Sequence, residues 1–340
     1  MDFSKAITQV KGGTSLTEAQ AQECAAQIIK GTLSDSDIAG LLLALAEKGE
    51  SVAEIVGFAR AMRADMQRVP IKGELMDVCG TGGTGHVRFN VSTASAFVLA
   101  ALDIPVAKHG NRGSGSTNGS FDFLEALGID FDLTPVQSAQ LLAEQNLCFL
   151  FARNYHVGVK HAANARKKLG RRTIFNLVGP LCNPAGATHQ VIGTPSLKAA
   201  EPLAVAIQQL GCIRSFVVVG AGGSDEVTVH DASSLLVVTS AGVELTGIDP
   251  LSVGIDIDEM PKVGGAAIEN AAMFEQFLLE PSIEAPLGAL IALNAATSVW
   301  CFGAEKNLES AFIQVKKAIL SGKLAEKVQD YKSAIKKLKA

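Results

Sequence analysis

The stretch DVCGTGGTGHVRFN, residues 77–90, running directly into VSTASAFVLAAL, constrains this chain more than any other part of it. A short apolar strand has to turn through a glycine loop into the N-terminus of an apolar helix. Glycines at 80, 82, 83 and 85 can take positive φ and let several backbone N–H groups converge on one anion. The helix dipole at Ser92 and Thr93 favours negative charge at the same place. The loop lacks the GK[ST] ending of the Walker type, and no acidic residue stands about 20 residues downstream at a second strand end, as a dinucleotide fingerprint requires. Taken alone, it is either a phosphate cradle or only a tight turn.

The next motif along the chain bears on that choice. Residues 104–107 read as a second short strand, and at its end stands KHGNRGSGSTNGSFDFLEALG, residues 108–128. Lys108, His109, Asn111 and Arg112 gather cationic and hydrogen-bonding groups at a strand end, where open α/β sheets bind their ligands. A second run of small residues leads to a helix beginning near Ser120. Two loops that each feed a helix N-terminus suit a ligand with more than one phosphate.

Further apolar runs alternate with helical stretches: VAK after 105, LCFLFA at 147–152, HQVIG at 189–193 and SFVVVG at 215–220. The alternation predicts an α/β fold with a mostly parallel central sheet flanked by helices. LLVVTS, an Ala241-Gly242 turn and VELTG read as an antiparallel hairpin appended to it. The first seventy residues read as a small all-helical domain. Thr17 with Gln20 and Ser51 with Glu54 have capping-box form, Ser34 is an N-cap candidate, and Gly31 and Gly49 sit where C-terminal caps belong.

At 340 residues, with 48% hydrophobic and 19% charged residues, the chain can bury one large or two modest cores. Its formal net charge of −4 gives no general attraction to nucleic acid. Six scattered cysteines without CxxC spacing read as reduced thiols of a cytoplasmic protein. No secretory signal opens the sequence. Residues 285–304 are uncharged for about the length of a membrane span, but they are alanine-rich, contain Pro286, Asn294, Thr297 and Ser298, and lack flanking cation clusters. A buried core helix is expected there and no membrane contact.

GTGG followed by NVST, then KHGNR, GS.D.LEALG, RTIFNLVGPLCNPAG at 172–186 and SDE at 224–226 resemble, in order and spacing, the anthranilate phosphoribosyltransferase family. The resemblance runs from about residue 4 to the C-terminus. It implies a small helical domain, residues 1–70 with an insertion at about 171–188, and a large phosphoribosyl-binding α/β domain, residues 74–170 and 189–340. The active site would lie in the cleft between them, with residues 70–74 and the borders of the insertion as hinges. It also implies a homodimer through the helical domain. The residues give that idea a basis of their own: Ile38, Leu41, Leu42 and Leu45 form one helix face, and Ala39, Leu43, Ala44 and Ala46 continue around it, so the helix needs cover on more than one side.

The implied reaction transfers 5-phosphoribose from phosphoribosyl pyrophosphate to the amino group of anthranilate and releases pyrophosphate, the second step of tryptophan biosynthesis from chorismate. By the resemblance, Gly80, Thr81, Gly82 and Gly83 meet the diphosphate, Asn90, Ser92 and Thr93 are the NxST residues, Lys108 neutralises phosphate charge, and Ser120 belongs to the same donor site. Two Mg²⁺ per site are implied, with Ser92, Asp225 and Glu226 as ligands; adjacent carboxylates at a strand end suit a hard cation. For anthranilate the resemblance implies Arg166 as partner of the carboxylate, lined by Gly80, His109, Asn111, His156 and Pro180. No acid or base is assigned, because the arylamine is already a neutral nucleophile.

The chain departs from the family pattern at Thr84, where aspartate is usual, Arg88, where a small hydroxyl residue is common, Thr117, where lysine is frequent, Phe121, and Val157-Gly158-Val159. The last puts the acceptor in question. A related pentosyltransferase or nucleoside phosphorylase with another acceptor is one alternative, against which stand Arg166 and FNLVGPLCNPAG. A non-catalytic nucleic-acid-binding relative is another; it would be basic and lack the Asp-Glu pair.

Overall fold

The computed structural model describes residues 2–82, 88–113, 118–258 and 263–339. Four helices open the chain: α1 Phe3–Lys11, α2 Glu18–Ile29, α3 Asp35–Lys48 and α4 Val52–Asp65. Their starts are set by side chains that take up the free N–H groups of the first turn. Thr17 and Gln20 cap each other reciprocally, as do Ser51 and Glu54, and Ser34 accepts from the Asp37 amide. Gly31 and Gly49 follow helix ends with φ of 71° and 88°. Glu54 is fully buried and does more than cap. Its carboxylate also accepts from the Leu16 amide at 2.9 Å and pairs with Lys48 at 2.9 Å, tying the α1–α2 connection, the end of α3 and the start of α4 together.

Seven strands follow in one sheet: β1 Met76–Gly80, β2 Val106–Gly110, β3 Leu147–Phe151, β4 His189–Gly193, β5 Arg214–Val219, β6 Ser233–Thr239 and β7 Gly242–Ile248. The order is β3-β2-β1-β4-β5-β6-β7; the first five are parallel and the last two antiparallel. The alternation and the hairpin are thus where the apolar runs placed them. One boundary differs. The second strand runs from Val106 to Gly110, not 104–107, so Lys108 and His109 lie inside it and are buried.

The pleat divides the core. On one face Phe216 and Val218 join α5 (Val91–Ala101) and the helices of the C-terminal third; on the other, Ile192 and Val217 join a core that includes α1–α4, the helix Leu197–Gln209, and Ala162, Ala165 and Ile174 to Cys182. Ala162 and Ala165 precede residue 171, so the bundle-side core draws on more of this segment than the insertion at 171–188. Within the chain, α3 packs against α1 and against the helices Ala163–Leu169 and Ile174–Val178. Ile38, Leu41, Leu42, Ala44 and Leu45 are accordingly buried, and only Ala39, Leu43 and Ala46 stay half-buried. The uncharged stretch forms the helix Pro286–Phe302, packed against α5 in the core. Among the described residues no helix is long and apolar enough to cross a membrane.

Candidate functional site

The C-terminal ends of β1, β4 and β5 surround a cavity of about 80 Å³, lined among others by Gly80, Ser92, Ser95, Asp225, Glu226 and Asn294. Glycine is required at one of these strand ends and leaves room for the Asp225 side chain at another. A Cβ on Gly193 would lie 1.6 Å from the Asp225 carbonyl oxygen, and one on Gly80 would lie 2.7 Å from Asp225 Oδ2. The two residues are paired across β1 and β4, so the acidic loop rests on a bare patch of sheet. Asn294 holds that loop from below: its Oδ1 accepts from the Val227 amide at 3.0 Å and its Nδ2 donates to the Val227 carbonyl at 2.9 Å. Burial, and next the neighbouring Asp225, push the Glu226 carboxyl up to about 8, with Arg88 opposing. Arg88 Nη1 donates to Asp225 Oδ1 at 2.9 Å and to Ser224 Oγ at 2.7 Å.

Lys108 crosses beneath the end of β1. Its ammonium donates to the Val78 carbonyl and, at 3.2 Å, to Ser92 Oγ near the start of α5. It is fully buried, and desolvation lowers its pKa while Asp77 opposes. The other donor-side residues differ in what they have free. Thr81 directs both its amide and its hydroxyl to the Gly193 carbonyl, at 2.9 and 3.1 Å. Gly82 has φ of 64°, the region that glycine enters without strain. Thr93 Oγ1 and Ser95 Oγ are buried without a partner among the described residues. Asn90 accepts from Asn270 Nδ2 at 2.9 Å, and Ser120 opens the helix Ser120–Ala126. Gly83, Thr84 and Thr117 lie outside the described residues.

Arg112 corrects an expectation. Instead of facing a ligand, its guanidinium is committed to Asp122 and Glu125 of the helix Ser120–Ala126, at 3.0 and 2.7 Å, and lies over Phe131. Phe121 fills the same neighbourhood, 4.8 Å from the rings of Phe131 and Phe151.

On the opposite face of the same strands lies a second group. The His109 and His156 rings are 5.1 Å apart. His156 Nε2 donates to the Cys182 carbonyl at 2.9 Å, whereas His109 Nε2 is buried without a partner among the described residues. Burial pushes His156 down to about 4 and His109 well below its ordinary value, so both rings are neutral at pH 7. Asp77, fully buried, accepts from the His109 amide at 3.1 Å and from Asn183 Nδ2 at 2.9 Å; desolvation raises its carboxyl to about 6. Pro180 sits in the turn Gly179–Cys182, where its carbonyl accepts from Gln190 at 2.7 Å, and Asn111 is exposed.

Arg166, on the helix Ala163–Leu169, is half-buried over the Phe175 ring at 5.5 Å. Its guanidinium has no hydrogen bond or ion pair among the described residues, and burial lowers its pKa with no carboxylate to oppose. Arg172 is similar. Nη2 is buried without a partner among the described residues, and burial lowers its pKa against Asp225 and Glu50.

The structure therefore brings Gly80, Ser92, Lys108, Asp225 and Glu226 together on one side, and His109, His156 and Pro180 around the Asp77–Asn183 contact on the other. Sequence reasoning missed Gly193, Asn294, Asp77, Asn183 and Arg172. Gly193 and Asn183 did carry a signal, standing in a strand-end glycine and in the NPAG run.

No group of three or more His, Cys, Asp or Glu side chains placed for a metal occurs among the described residues. Mg²⁺ does not need one, since it takes one or two carboxylates and fills its shell with waters and substrate phosphates. Glu226, Asp225 and Ser92 on one small cavity supply hard oxygen donors of that kind, although Arg88 already engages Asp225.

Residues 72–325 match the family described as "Glycosyl transferase family, a/b domain", and residues 4–66 the one described as "Glycosyl transferase family, helical bundle domain". An anthranilate phosphoribosyltransferase of Desulforamulus reducens is 41% identical over 99% of this chain and 94% of its own length. One from Halalkalibacterium halodurans is 36% identical over 96% of each chain. Among solved structures, the anthranilate phosphoribosyltransferase of Thermus thermophilus superposes with a TM-score of 0.89 at 36% identity, covering 97% of this chain and 99% of that one. The Saccharomyces cerevisiae enzyme, solved in complex with PRPP and Mg, has the same fold at a TM-score of 0.90 and 22% identity, over 98% of each chain.

Proposed function

This chain belongs to the anthranilate phosphoribosyltransferase family of glycosyl transferases, and from that premise we propose that it transfers 5-phosphoribose from phosphoribosyl pyrophosphate to the amino group of anthranilate, releasing pyrophosphate, in tryptophan biosynthesis. The observation that carries the acceptor side is Arg166: a half-buried guanidinium without a counter-ion among the described residues suits a planar carboxylate, which it can bind through two parallel N–H donors. The neutral rings of His109 and His156 offer flat, uncharged walls beside an aromatic amine, with Asn111 and Pro180 at the edge of the path.

The reacting bond weakens as negative charge gathers on the departing diphosphate. On the donor side this chain meets that charge with the loop that opens at Gly80 and Gly82, the N-terminus of α5 at Asn90, Ser92 and Thr93, and the Lys108 ammonium behind Ser92. Glu226, Ser92 and Asp225 would hold Mg²⁺, two ions per site. Bound Mg²⁺ supplies positive charge that stabilises the leaving diphosphate. No side chain has to remove a proton before attack, because the arylamine lone pair is free.

Residues 1–70 with 171–188 act as a small domain against the rest, and its closure excludes water; the packing of the helix Ile174–Val178 against α3 and α4 supports this grouping, while the same core continues into Ile192 and Val217 of the sheet. A homodimer through the helical domain rests on the half-buried strip Ala39, Leu43 and Ala46 of α3, and sedimentation of Leu43→Glu against wild type checks it. The six free cysteines agree with a cytoplasmic setting. The deciding assay follows anthranilate fluorescence: loss that requires both phosphoribosyl pyrophosphate and Mg²⁺ is expected, and a flat trace with purified, folded protein would overturn the reading.

A further inference from the structure

The guanidinium of Arg88 stands where the acidic pair would meet a cation. Its ion pair with Asp225 is largely enclosed, with the two side chains 13% and 14% exposed. The main chain of Arg88 is fixed. Its carbonyl accepts from Asn118 and, at 2.9 Å, from Asn270, a fully buried residue whose amide also reaches Asn90 and Asn118. Gly264 lies so close that a Cβ there would be 2.2 Å from the Phe89 amide nitrogen. A side chain on so fixed a stem can change place only by rotating. Arg88 Nε is buried with no partner among the described residues, so the fork holds a donor that Asp225 and Ser224 do not use.

Serving this guanidinium and a divalent ion together is costly for the Asp225 carboxylate, because two cations held that close repel. We propose that Arg88 is a displaceable resident cation: it neutralises Asp225 in the free protein, yields that carboxylate to a divalent metal when the diphosphate enters, and turns its donor fork to the diphosphate. Metal and diphosphate then bind as a coupled pair, each weak without the other. The inference rests on the proposed function of the donor side, in which the acidic pair holds the metal.

The test uses Mn²⁺, titrated into the full-length protein without substrate and followed by electron paramagnetic resonance. Arg88→Ser removes the competitor, and Mn²⁺ should bind about 10- to 100-fold more tightly than to wild type, the size expected for a lost charged hydrogen bond. Phosphoribosyl pyrophosphate, measured by calorimetry at saturating Mn²⁺, should bind at least about tenfold more weakly to Arg88→Ser. Arg88→Lys should fall between, retaining charge without the fork. Unchanged or weaker Mn²⁺ binding by a serine variant that melts like wild type would overturn the resident-cation role. Tighter Mn²⁺ with unchanged diphosphate affinity would overturn the transfer to phosphate. Loss of Mn²⁺ binding in Asp225→Ala/Glu226→Ala supports the metal assignment itself, and its persistence there would refute that assignment and with it the exchange at Asp225, whereas failure of the Arg88→Ser outcomes alone leaves the metal assignment standing.

Discussion

The carboxylate of Asp77 and the side-chain amide of Asn183 meet at 2.9 Å although 106 residues separate them. The contact joins the first strand of the sheet to the NPAG turn, and because Asp77 also holds the His109 amide it fixes the position of His109, which the proposed reading puts on the acceptor side. Asn183→Ala removes one donor from a fully buried carboxylate and one from the Ala107 carbonyl. A destabilisation of about 2–4 kcal/mol is expected, read as a lower urea midpoint with unchanged slope.

Arg166→Ala should raise the KM for anthranilate by roughly one to three orders of magnitude, since a charged hydrogen bond to a carboxylate is lost. The KM for phosphoribosyl pyrophosphate should barely move. Equal losses for both substrates would make Arg166 a structural residue instead.

Gly193→Ala tests the bare patch under the acidic loop. The added methyl would overlap the Asp225 backbone at 1.6 Å, and no rotamer relieves a backbone clash. Turnover should fall by about 100-fold or more, as expected when reacting groups move by about 1 Å. Circular dichroism should show the helices intact. Wild-type rates in this variant would remove the loop from the chemistry.

His156 gives a pH signature. Burial depresses its folded pKa to about 4, below the ordinary 6.5, so protonation is disfavoured in the folded state. Its contribution to stability is therefore complete above about pH 6.5 and is lost as pH falls towards 4, by about 3 kcal/mol. His156→Gln keeps a donor for the Cys182 carbonyl but has no such titration. The stability difference between wild type and variant should shrink by that amount between pH 7 and 4, and the His156 ring proton in NMR spectra should not shift above pH 6. Titration near 6.5 would contradict its burial.

The strands were legible because each is a short apolar run closed by glycine or a polar turn, and the helix starts because Thr17, Ser34 and Ser51 cap by local bonds that any sequence window contains. The end of β2 was not, since Lys-His-Gly reads as a loop, and the pairing with β3 through Gly110 and the contacts to Ser92, Val78 and Asp77 keep those polar residues in the strand. Arg88 was visible as an odd residue, yet its partner Asp225 is 137 positions away. The acidic Asp122 and Glu125, on the helix that the loop of Arg112 leads into, were a local signal that its guanidinium already had partners.

Lys108 and His109 are adjacent in sequence, but the pleat of β2 sends the ammonium to Ser92 on α5 and the imidazole to His156 on the far side. Two chemistries are thus carried by one strand without sharing a face. On the proposed assignment of the two faces, changing the accepted amine, by natural drift or by engineering, would proceed through His109 and His156 while Lys108 and Ser92 stay untouched. The same economy makes β2 intolerant of length changes: deleting a single residue from it would reverse both faces at once.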